Sequence, residues 1–77
     1  MRLLQVLGVG CAKCAKLREN AEAAVAELGI DARVEKITDI PTILSFDVLM
    51  TPALVIDGNV KLVGRVASVD EIKQWLA

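Results

Sequence analysis

Two hydrophobic periods divide this chain. Leu3, Leu4, Val6 and Leu7, interrupted by Gln5, make a short run that is apolar on nearly every side chain. Such a run predicts a strand over residues 2–7, buried on both faces of an α/β sheet. From Ala12 the period changes. Cys14, Leu17, Ala21, Ala24, Val25 and Leu28 recur at three- and four-residue steps, while Lys16, Arg18, Glu19, Glu22 and Glu27 fall mostly off that stripe. The spacing predicts a helix over residues 12–28, with Gly29 at its C′ position. Gly8-Val9-Gly10 reads as a flexible loop that lets the backbone turn from strand to helix.

Ile30 to Ile37 alternates and predicts a second strand with one wet face or edge. Strand, long helix and strand form a right-handed βαβ unit with parallel strands. Thr38 or Asp39 can cap a short helix reaching about Phe46, with Pro41 in its first turn. Ile40, Ile43 and Leu44 are expected to face the core, and residues 47–50 to form a loop. Ala53 to Ile56 is the third strand. Asp57-Gly58 is a two-residue hairpin signal, so Val60 to Val63 returns antiparallel. Ser68 and Glu71 form a capping box for a last helix that buries Val69, Ile72, Trp75 and Leu76. The order is β-α-β-α-β-β-α, an α/β fold with a four-stranded mixed sheet flanked by helices. No repeat or linker divides residues 1–77, which read as one domain.

Composition narrows the possible functions. Seventy-seven residues, 55% of them apolar, can build a core, with little stability to spare. Nine basic and ten acidic residues leave a net charge of −1. That argues against an electrostatic footprint for nucleic acid or anionic lipid. Phe46 and Trp75 are too few aromatics for a base-stacking surface. No run approaches the ~20 apolar residues of a membrane span. Met1-Arg2-Leu3-Leu4 is too short an apolar start for a signal peptide. A lipoprotein reading of Cys11 fails at Gly8, where an aliphatic residue is expected. The expectation is a cytosolic monomer, with neither nucleic acid nor membrane as partner.

The chemistry concentrates in Gly10-Cys11-Ala12-Lys13-Cys14, which holds both cysteines of the chain. The pattern places Cys11 near the helix cap and Cys14 one turn on, in the buried stripe. Helix N-termini carry peptide N–H groups without intrahelical partners and a partial positive charge. A thiolate there is stabilised, so its pKa falls below the ~8.5 of a free cysteine. Lys16 adds charge nearby. Lys13 is either a solvated surface lysine or a second electrostatic tuner of the thiol. Thiolates attack disulfides and bind soft metals, so two chemistries stay open: dithiol–disulfide exchange and metal capture. In the cytosol a lone Cys-x-x-Cys is catalytic or metal-binding more often than structural.

With Cys11-Ala12-Lys13-Cys14 after the first strand, Phe46 to Pro52 before the third and Gly64 after the fourth, the chain resembles the small thioredoxin-like proteins of bacteria and archaea. The resemblance implies a minimal thioredoxin fold that lacks the extra N-terminal strand and helix of full thioredoxin. It implies that Cys11 is the nucleophile and Cys14 the resolving thiol of a protein-disulfide reductase. No bound cofactor is implied, since the electrons reside in the cysteine pair. The implied partners are a disulfide reductase and disulfide-containing substrate proteins. Residue type alone leaves an X–Pro bond trans. The resemblance implies a cis Pro52 against Cys11, with the Thr51 backbone pairing with substrate. Met50 reads either as a residue of the substrate groove or as packing. Gly10 and Ala12-Lys13 depart from thioredoxin's Trp-Cys-Gly-Pro-Cys. The buried acid of thioredoxin's first motif strand has no match, only Gln5, and Lys36 lacks that partner. No Gly-Gly-x-x-Asp-type glutathione site follows the hairpin, which weakens a glutaredoxin-like reading. A heavy-metal-associated, copper-chaperone-like module shares the Cys-x-x-Cys and would hold Cu(I). That family has Met where Val9 stands and ends on a strand. A four-cysteine zinc site lacks its ligands.

Overall fold

The computed structural model describes residues 1–10 and 12–77, and Cys11 lies outside the described residues. The elements are β1 (Arg2–Leu7), α1 (Ala12–Leu28), β2 (Ala32–Ile37), α2 (Ile40–Ser45), β3 (Ala53–Ile56), β4 (Asn59–Val63) and α3 (Val69–Leu76). Their order is the one the sequence pattern predicts. The sheet runs β2-β1-β3-β4. β1 is parallel to β2, with Val6 opposite Lys36, and antiparallel to β3, with Leu7 opposite Ala53. β4 closes the hairpin antiparallel to β3.

Register decides which residues are buried. Successive strand side chains point to opposite faces. Leu4, Val6, Leu54 and Ile56 pack with Leu17, Ala21 and Ala24 of α1 and with Ile72 and Leu76 of α3. Leu7, Ala53 and Val55 form a smaller core with Ile43 of α2 and Val48 beyond it. Every residue of β3 is buried, as befits an inner strand. β2 lies at an edge, and its Arg33 and Lys36 are exposed. Among the described residues, no polar or charged side chain is buried.

Local chemistry sets the ends of the elements. α1 ends at Gly29, whose N–H donates to the Val25 carbonyl at 3.0 Å. The Asp39 carboxylate caps α2 by accepting from the Thr42 N–H at 3.0 Å. Ser68 and Glu71 form the reciprocal capping box of α3. Asp57 and Gly58 take φ of 50° and 84°, the two left-handed residues of a tight hairpin. The Asp57 carboxylate also accepts from the Leu3 N–H at 2.9 Å and from the Arg2 guanidinium. Arg2 in turn donates to the Leu76 carbonyl at 2.9 Å, tying the hairpin and the end of α3 to the start of β1.

Two expectations need correction. β2 starts at Ala32 rather than Ile30, because β1 offers no partner before Arg2, which pairs with Ala32. Of the three residues expected to line the core from α2, Ile43 is buried, whereas Ile40 is 51% exposed and Leu44 50%. A six-residue helix turns less than twice and presents one narrow stripe. Val48 supplies the remaining contact from outside the helix.

Candidate active site

β1 delivers the chain to the site. Leu4 and Val6 face α1, and the alternation carries Gly8 to the same side. Gly8 is buried, and its N–H donates to the Ile37 carbonyl at 2.9 Å. The ladder to β2 therefore continues past β1, and Gly8 is no flexible spacer. Cys14, on the first turn of α1, is 5% exposed and disulfide-bonded. An ideal Cβ on Gly8 would lie 2.2 Å from Cys14 Sγ and 3.7 Å from Thr51 Cβ. The end of β1, the head of α1 and the turn before β3 thus meet at one point.

That last turn has its own support. The Thr51–Pro52 bond is cis. Pro52 is buried and Thr51 exposed. Gly64, just past β4, donates its N–H to the Pro52 carbonyl at 2.8 Å. Its φ of +81° suits glycine. A Cβ there would touch Met50 Cε at 3.3 Å, so Met50 lies against this backbone. Met50 is nevertheless 63% exposed, and its neighbour Leu49 is exposed as well.

A groove of about 270 Å³ opens on the α1 side. Val6, Gly8, Gly10 and Cys14 line it, together with Glu19 and Glu22 of α1 and Lys36 of β2. Lys36 thus shares a groove with carboxylates that come from the helix rather than from β1. Their position was not read from the sequence, because Glu19 and Glu22 fall off the apolar stripe that carries Cys14. Arg18 lies 3.9 Å from Glu22 as an i,i+4 pair.

The structure brings Cys14, Thr51 and, through the chain, Pro52 together, and sets Met50 against Gly64. Lys13 is exposed on the first turn of α1. The expectation that Cys11 occupies the helix cap lies outside the described residues. Gly8 is the residue that sequence reasoning missed. The signal was present in the alternation Leu4, Val6, Gly8, which put a residue without a side chain where an inward-facing one belongs.

A mixed sheet of order β2-β1-β3-β4, with α1 and α3 over one face, α2 on the other and a cysteine at the head of α1, is the arrangement of a thioredoxin-like thiol–disulfide oxidoreductase. Comparison with known proteins gives the family. The thioredoxin-domain family model matches residues 2–77, and the chain belongs to that family. A protein named thioredoxin from Methanothermobacter thermautotrophicus is 48% identical over 77 residues, 100% of both chains. A thioredoxin from Methanocaldococcus jannaschii is 41% identical over 76 residues, 99% of this chain and 87% of that one.

Proposed function

We propose that this protein reduces disulfides of proteins or small molecules by cycling Cys11 and Cys14 between dithiol and disulfide. The observation that carries this reading is the setting of Cys14: disulfide-bonded, 5% exposed, and packed at the junction of Gly8 and Thr51. A thiol so enclosed is poorly placed to meet a bulky substrate and well placed to resolve an intermediate formed next to it.

The Cys11 thiolate attacks one sulfur of the substrate disulfide and expels the other as a thiolate. The Cys14 thiolate then attacks Cys11 within the mixed disulfide, and the second substrate sulfur leaves. Two electrons have passed to the substrate, and Cys11–Cys14 is oxidised. A disulfide reductase returns two electrons and restores the dithiol. The pair itself carries the electrons, without a dissociable cofactor. Exposed Thr51 offers its backbone to an extended substrate segment, and exposed Met50 offers an apolar contact. Lys13 adds positive charge that favours thiolate over thiol.

We place this activity in the cytoplasm, acting as a monomer of one domain. Thiols stay reduced there, and no helix among the described residues is long and apolar enough to cross a membrane. The test is a redox titration of the cysteine pair in glutathione buffers, run beside reduction of insulin disulfides. The pair is expected to cycle and to accelerate insulin reduction. A dithiol that never cycles but holds Cu(I) tightly would shift the reading to a soft-metal carrier using the same two thiolates.

A further inference from the structure

Gly8 stands where β1 meets the first turn of α1, and a side chain there would have no room. A Cβ would lie 2.2 Å from the Sγ of Cys14 and 3.2 Å from its Cβ. Both are inside normal van der Waals contact. The backbone cannot retreat, because the Gly8 N–H is held by the Ile37 carbonyl at 2.9 Å. Leu7, just before it, is fixed between Ile37 of β2 and Ala53 of β3. Backbone conformation does not demand glycine either, since Gly10, Gly29, Gly58 and Gly64 take positive φ and Gly8 does not. The requirement is steric, and the sulfur imposes it.

Building on the reading of Cys14 as the resolving thiol, we propose that Gly8 is its positioning residue. The missing side chain is the seat of the sulfur, and the seat keeps Cys14 sealed so that outside disulfides meet Cys11 alone. Alanine at position 8 pushes Sγ off this seat. The open space beside it is the groove of about 270 Å³ that Gly8 and Cys14 both line. Helical side chains rarely take the χ1 well that points into the preceding turn, so the sulfur has few other places to go. The displaced thiol is exposed to solvent, and the two cysteines lose their division of labour.

The test starts from the Cys11→Ser protein, where Cys14 is the remaining thiol. Adding Gly8→Ala is expected to speed alkylation of Cys14 by iodoacetamide at least about tenfold under native conditions, equivalent to about 1.4 kcal/mol of lost protection. Val55→Ala thins the core on the other face of the sheet and controls for general loosening. Alkylation no faster in the Gly8→Ala protein than in the Val55→Ala protein overturns the proposal. A second arm removes the sulfur. Gly8→Ala is expected to lower Tm by roughly 5–20 °C with Cys14 intact. In a Cys14→Ala background the loss should be less than half as large. Equal losses in the two backgrounds overturn the proposal. If Gly8→Ala does not fold, Cys14→Ala must restore folding, and a double variant that stays unfolded overturns the proposal too. Neither arm depends on turnover, so an inactive protein would count against the proposed reductase while the seat is judged by alkylation and coupling.

Discussion

Gly64 donates its amide to the Pro52 carbonyl at 2.8 Å, which holds the turn before β3 against the end of β4. The bond needs Gly64 at φ +81°, and its bare Cα lets Met50 pack close. Gly64→Ala is therefore expected to cost about 1–2 kcal/mol, the penalty for a left-handed residue with a Cβ. It should also shift Met50 and raise KM for a protein disulfide, with a smaller effect on a low-molecular-weight one. Urea unfolding and insulin-reduction kinetics check the two parts separately. Lost stability with unchanged KM would remove Met50 from substrate docking.

The two cysteines should behave differently when trapped. Cys14→Ser is expected to accumulate a mixed disulfide through Cys11, because no thiol remains to resolve it. Cys11→Ser should trap little, since Cys14 is almost wholly enclosed. Non-reducing electrophoresis after incubation with a disulfide-bearing protein measures both. Equal trapping would mean that the roles are not divided.

Asp57 makes stability depend on acid. The Leu3 N–H and the Arg2 guanidinium both favour its charged form and hold the carboxyl below its ordinary value. Glu71 is lowered likewise, by Arg65 and by the Ser68 N–H. A carboxyl whose folded pKa is depressed contributes stability that is present above its unfolded value, about 4. That stability is lost as pH falls through the folded value. Tm should therefore decline below about pH 4, and Asp57→Asn should flatten the decline. Melts between pH 2 and 7 decide it, and parallel curves for the two proteins would remove Asp57 from the acid response.

Leu54 is fully buried on an inner strand, where it faces α1 and α3 beside its hairpin partner Leu62. Leu54→Ala is expected to lower the free energy of unfolding by about 2–5 kcal/mol, a transfer loss plus a cavity. In a chain this small that is a large share of total stability. Calorimetry should show a sharply lower Tm, and a loss under about 1 kcal/mol would mean that the core closes around the gap.

Much of the fold was legible because its determinants are local. The α1 stripe, a cap at Thr38 or Asp39 for α2, the Asp57-Gly58 turn and the Ser68–Glu71 capping box each depend on residues a few positions apart, and the structure selects Asp39 as the cap. What depended on distant residues was not. Placing β3 beside β1 is a long-range pairing, and no local pattern encodes it. The start of β2 depended on where β1 begins. Ile40 and Leu44 look like core residues until the brevity of α2 is known. At the site, Cys14 was legible as part of an apolar stripe. Gly8 was misread, because a glycine before a helix suggests freedom, and only the approach of a sulfur from another element shows constraint.

The absence of buried polar or charged side chains among the described residues has a consequence for assay. The chain also contains no histidine. The side-chain types that ordinarily titrate between about pH 6 and 9 are histidine and cysteine, so once the disulfide is reduced that window falls to the cysteine side chains. No interior carboxylate or lysine from the described residues stands ready to shift into it. Near neutrality the side-chain part of the reduced protein's pH profile thus reports its sulfur chemistry, beside the α-amino group that also titrates there.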